Sequence, residues 1–270
     1  FCGAGWHKAD LRRILVQSLM LGLLAALAWG LHDFTLRRIS GRADAQAMLL
    51  LVMGFGAGML APLALAAGGW QGLSRPVLGL SVLAGLAYAM AGIGLYRAFA
   101  IGPVRLVAPI CGAFPLLSVG FAVARGGRFE PLALIGAVAV LAGIGLVARG
   151  EDGAAAGSRR AAVLWSCLAC VGFAATFGLM QWAAETGADL AVSLIARLAC
   201  FASLLTLIAA VRIPLAPALA LWPWLLAMAV LDIAALTSVT VAGGFAHAEF
   251  ASVTASTFGL VTIFLAWRLL

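Results

Sequence analysis

Arg197 and Asp232 stand in the middle of two consecutive apolar stretches of the chain. In a hydrocarbon medium each such charge costs at least ~2.5–3.5 kcal/mol unless it is paired or wetted, so the two are expected to form an ion pair. Counting about 1.5 Å of helix rise per residue from the side that the two stretches share puts them at comparable depth. The pair has two uses: it holds two helices in register, or it also faces a polar cavity. Both remain open at this point.

His32 and Asp33, late in the first apolar stretch, are the second candidate pair. An imidazole beside a carboxylate can carry a proton; the plainer alternative is that Asp33 reaches Arg37, four residues on along one helical face. Glu249 opens the last apolar stretch, where an acid in a first helical turn is favoured by the helix dipole. Thr254, Ser256 and Thr257 follow it; they would either line a cavity or bond the carbonyl one turn back. Pro109 and Pro115 interrupt the fourth stretch and free carbonyls there, a feature suited to a gate or a ligand-facing kink. Trp29, Tyr88 and Tyr96 are placed to stack on an organic substrate or cation.

Other chemistry has little support. Cys167 and Cys170 form a CxxC inside an apolar stretch with no second pair and no nearby histidine, which reads as small-residue packing, as do Cys111 and Cys200. His247 has no metal-ligand partner in its neighbourhood. No GxSxG, HExxH or GxxxxGK[ST] run occurs, so neither a hydrolase nor ATP as the direct energy source is expected, and no cofactor or metal is implied.

The elements that must position these residues follow from composition. Hydrophobic residues make up 64% of the chain and charged residues 10%, with mean hydropathy +1.12. A soluble domain of this size exposes more polar surface than such a sequence supplies. In a bilayer every backbone N–H and C=O must be satisfied within the segment, and the apolar runs are too long and uniform for barrel strands, which leaves helices. About 20 residues cross the core. Spans are predicted near 14–36, 45–68, 76–99, 103–124, 131–148, 161–184, 188–211, 220–243 and 248–268, with Pro76, Pro103, Pro131 and Pro223 each in a first turn.

Net charge +7 does not mark a nucleic-acid binder here, because the basic residues are spread along the loops. They divide almost evenly between the two sides, so the positive-inside rule leaves orientation undecided. No apolar leader precedes residue 14, and a cleavable signal peptide is not expected. Trp6, Trp70, Trp222 and Trp224 fall at span edges as interfacial anchors. Gly54 and Gly58, at GxxxG spacing, suit close helix packing within one chain or in a homodimer.

The polar stretch RGEDGAAAGSRR, 149–160, divides the spans five and four. Laying 98–126 over 242–270 aligns Ala98 with Ala242, Phe114 with Phe258, Leu116 with Leu260 and Ala122 with Ala266. That places the third and fourth spans on the eighth and ninth, as two five-helix halves require, and an odd number per half inverts the second copy.

Trp29-Gly30, LYRAFAIGPVRLVAPICGAFPLLSVGFA (95–122) and GGRFEPLALIGAVAVLAGIGLV (126–147) resemble the first half of an EamA-type member of the drug/metabolite transporter superfamily, and 161–268 most of a second EamA repeat. Two departures stand out: the acid that the family carries in the turn after the fourth helix is Gly127 here, with Glu130 three residues on, and the tenth helix is missing. The resemblance implies an all-α polytopic membrane protein of two inverted five-helix repeats, 1–148 and 161–270 about the connection 149–160, with both termini cytoplasmic. It also implies a bacterial inner-membrane location and export or exchange of small metabolites by alternating access, with a small-molecule substrate and membrane lipid as partners. Proton coupling would fall to the candidates above. A membrane-embedded enzyme and a non-transporting truncated relic are the alternatives.

Overall fold

A computed structural model of the chain describes residues 8–124, 131–147, 158–185, 188–242, 245 and 248–269. Every regular element among them is helical: α1 (Lys8–Ile39), α2 (Ala45–Ala67), α3 (Arg75–Ile101), α4 (Val104–Cys111), α5 (Phe114–Ala124) and α6 (Pro131–Val147), then α7 (Arg159–Ala184), α8 (Asp189–Val211), α9 (Ala216–Leu219), α10 (Trp222–Ala242), α11 (Ala248–Ala255) and α12 (Phe258–Leu269). Helix starts follow local chemistry. The Asp44 carboxylate accepts from the Gln46 and Ala47 amides at the head of α2, and the Ser74 hydroxyl from Val77 at the head of α3. Pro76, Pro131 and Pro223 sit in first turns as expected, while Pro103 is the residue that caps α4.

Among the described residues seven helices, not nine, are long and apolar enough to cross a membrane: α2, α3, α7, α8, α10, the Val16–Ile39 part of α1, and Phe250–Leu269 across α11 and α12. The expected fifth span is α6, of 17 residues. The expected fourth is broken into α4 and α5 at Gly112–Ala113, between the two prolines. Pro115 has no N–H to give the Cys111 carbonyl, so the ladder stops, and the Ala113 amide turns back three residues to Ile110 at 3.2 Å. The last span has an unforeseen break at Ser256–Thr257. There the Ser256 hydroxyl donates to the Val253 carbonyl at 2.6 Å and that of Thr257 to Thr254 at 2.7 Å, tightening the turn.

The packing is regular. Helix α1 lies on α10, α11 and α12, and α7 lies on α3, α4 and α5; α2 packs on α10, and α8 on α3. The bounds of α2 and α8 correspond residue for residue (45 to 189, 67 to 211), and so do those of α4 and α11 (104 to 248, 111 to 255). Close approach is bought by small residues: a methyl group added at Gly30 would collide with Val261 of α12, so the glycine lets α1 seat against it.

Polarity is inverted relative to a water-soluble domain. Large apolar side chains face outward, with Leu24 50%, Leu63 58%, Leu164 62% and Val230 51% exposed, while His32, Asp33, Arg197 and Asp232 are buried. A surface of that kind is a liability in water and the expected one in lipid.

Of the two uses expected of the GxxxG pair, a shared contact within the chain is not formed. Gly54 faces the Phe201 ring, whereas Gly58 is exposed and meets nothing, so the two do not form one contact inside the chain. Cys170 is buried as expected, but Cys167, three residues earlier, is exposed. Trp222 and Trp224 are exposed at the head of α10 and Trp70 lies in the turn between α2 and α3, consistent with anchors. Gly127, Glu130, His247 and residues 149–157 of the connection lie outside the described residues.

Candidate functional site

The expected Arg197–Asp232 pair is present: Arg197 Nη1 on α8 donates to Asp232 Oδ2 on α10 at 2.6 Å, with the side chains 1% and 2% exposed. Two charges at that depth are tolerable only when each is closely met. The room for the guanidinium comes from α2. A Cβ added at Gly56 would lie 2.6 Å from Arg197 Nη1 and 3.2 Å from its Cδ, so glycine is the residue that admits the arginine. Met53 Sδ accepts from the same Nη1 at 3.7 Å.

Asp232 Oδ1 is met from two further helices. The Tyr88 hydroxyl of α3 donates to it, and the Trp29 indole N–H of α1 reaches it at 3.4 Å. Both oxygens of Asp232 thus accept hydrogen bonds, from three side chains on three other helices.

Asp33 is met differently. His32 Nδ1 and Asp33 Oδ1 are 2.9 Å apart, and His32 Nε2 lies 3.2 Å from the Tyr96 hydroxyl, giving a run Tyr96–His32–Asp33 from α3 into α1. The alternative in which Asp33 reaches Arg37 is not realised: Arg37 donates instead to the Phe99 carbonyl at 2.9 Å. Asp33 Oδ2 is buried and has no hydrogen-bond partner.

Both carboxylates, with Trp29, His32, Tyr88 and Tyr96, line one cavity of about 30 Å³. That is room for a water or two. The remaining wall is aromatic. Phe114 and Phe177 meet edge to face at 4.7 Å, Phe173 and Phe177 stack at 5.9 Å, and Trp29 lies 5.2 Å from Phe177 and 6.4 Å from Phe258. Phe114 opens α5 directly after the break, so the kink bracketed by Pro109 and Pro115 delivers a ring to the cavity, while Pro109 itself does not line it.

Six of the residues singled out from sequence therefore converge: Trp29, His32, Asp33, Tyr88, Tyr96 and Asp232, with Arg197 held behind Asp232. Thr254 and Ser256 do not. Thr254 packs under Gly22 of α1, and the hydroxyls of Ser256 and Thr257 donate to carbonyls three residues back, Val253 and Thr254, not four. Glu249 begins α11 next to Ala248, as a first-turn acid should, and its side chain lies outside what is described. Sequence reasoning missed Gly56, Phe114, Phe173, Phe177 and Phe258 as site residues. One signal was available: Phe114 and Phe258 are an identity in the alignment of 98–126 with 242–270, and both line the cavity.

The sequence model described as the EamA-like transporter family matches residues 17–149. No curated protein sequence matches the chain. A solved structure described only as "Crystal structure of protein" is similar in fold, with TM-score 0.56 and 20% identity over 93% of this chain and 98% of that one.

Proposed function

Because residues 17–149 belong to the EamA-like transporter family of the drug/metabolite transporter superfamily, we propose that this integral multi-pass membrane protein is a secondary active transporter. It moves small organic metabolites by alternating access, in export or exchange, across a bacterial inner membrane. The observation that carries the reading is the narrow, aromatic-walled cavity holding two buried carboxylates between α1, α3 and α10. An organic solute does not fit about 30 Å³, so on this reading the cavity belongs to an occluded state and widens toward one side at a time.

The two-repeat plan supports the same reading. The matching bounds of α2 with α8 and of α4 with α11, and the paired packing of α1 and α7, are what two inverted copies would produce. Rocking of one copy against the other would then open the cavity alternately.

Driving force is assigned to the His32–Asp33 pair. Arg197 and Asp232 cancel, leaving Asp33 as a second buried carboxylate; a proton held by His32 or Asp33 makes that pair neutral, which buried surroundings favour. Tyr96, Tyr88, Asp232, Arg197 and the Cys111 thiol are charged or titratable groups facing it from α3, α10, α8 and α4. Purified protein in proteoliposomes with an imposed pH gradient tests the proposal. Solute flux that follows the gradient sustains it, and no gradient-driven flux of any amine, amino acid or organic acid tried would sink it.

A further inference from the structure

The cavity pairs an unused carboxylate oxygen with an aromatic wall. Asp33 lines the cavity and is 2% exposed; its Oδ1 is bound to His32, and its Oδ2 is buried with no partner. A buried acceptor left empty costs about 1–3 kcal/mol, more when charged, so something that donates belongs beside it. Asp232 is the better satisfied of the two carboxylates, since Arg197 donates to its Oδ2 and Tyr88 and Trp29 to its Oδ1.

Sign follows from the lining. Among the described residues of the wall His32 is the sole group able to be positive, and Arg197 lies behind Asp232, outside the lining. An anion would meet a carboxylate and ring faces, both negative in character; a cation gains from both. Size follows as well. The free space is that of a water or two, which is the size of a primary ammonium group, and the rest of a ligand would lie where the wall opens.

We propose that this cavity binds the ammonium head of a small organic cation, with Asp33 Oδ2 as its acceptor and Trp29, Tyr88 and Phe177 as its aromatic wall. The proposal names the substrate class of the same site and so rests on the transporter reading. The cation takes the place of the proton on the His32–Asp33 pair, so that the cavity carries the same charge in both forms.

The test compares three probes of matched shape on the purified full chain in detergent: phenethylamine, 2-phenylethanol and 3-phenylpropanoate, with affinities from titration calorimetry. Phenethylamine is expected to bind at least about tenfold more tightly than the alcohol, with no measurable binding of the carboxylate. Asp33→Asn is expected to erase the preference and Asp33→Glu to keep it, each variant first checked for monodisperse elution. Equal affinity for amine and alcohol in the unaltered protein, tighter binding of the carboxylate, or a preference that survives Asp33→Asn overturns the site. The unaltered protein alone decides if the variants fail to fold. Amine binding without flux in proteoliposomes would leave the ammonium site standing and remove the transporter reading; flux of solutes with no ammonium preference would do the reverse.

Discussion

Tyr88 and Asp232 hydrogen-bond to each other and are 144 positions apart in the chain, the same offset that carries α2 onto α8 and α4 onto α11. Met53 and Arg197, also in contact, share that offset. Two central contacts thus join residues at that one offset, a phenol facing a carboxylate and a thioether facing a guanidinium.

Breaking the ion pair from one side leaves a buried charge alone. Arg197→Ala and Asp232→Ala are each expected to lower stability by about 3–5 kcal/mol, and the double change Arg197→Met, Asp232→Leu to cost less than either. Thermal unfolding in detergent measures this. An Arg197→Ala protein with normal abundance and full transport would remove the pair from the transport cycle.

Gly56→Ala is expected to displace the guanidinium that its Cβ would meet at 2.6 Å, with a loss of about 1–3 kcal/mol. Gly58→Ala, two residues away and open to the surroundings, is expected to be neutral or slightly stabilising through helix propensity. Melting temperatures of the two variants, run side by side, check the contrast.

Tyr88→Phe removes the hydroxyl from Asp232 Oδ1 and leaves that oxygen only the Trp29 contact at 3.4 Å. A loss of about 1–3 kcal/mol is expected, since a buried charged acceptor is then under-satisfied. Weaker substrate binding is expected with it, because Asp232 and Tyr88 both line the cavity. Unchanged affinity would place Tyr88 in architecture alone.

Asp33→Asn keeps the shape of the side chain and removes its charge. Flux driven by a pH gradient is expected to fall to the level set by the solute gradient alone, and the pH dependence of transport to flatten. Initial rates in proteoliposomes from pH 5 to 8 report this; a profile that keeps the unaltered protein's pH dependence would clear Asp33 of proton coupling.

The sequence alone carried the membrane environment, since 64% hydrophobic residues leave no other solvent, and the places where spans begin, since proline and capping residues act locally. It carried the Arg197–Asp232 pair as well, because two charges in hydrocarbon at one depth have few alternatives. Helix integrity was only partly legible. The prolines marked the break in the fourth span, but the turn at Ser256–Thr257 depends on hydroxyls choosing their own backbone over a neighbour. Tertiary structure alone decided which rings close the cavity, that Tyr88 meets Asp232, that Asp33 turns from Arg37 to His32, and that Gly56 makes room for Arg197. The reason is physical. In a membrane the core and the lipid are equally apolar, so a helix carries no strong polar stripe to announce which face turns inward, and Phe173 or Phe177 looks the same toward either. Only the close packing of helices drawn from both halves of the chain makes one of those faces a wall.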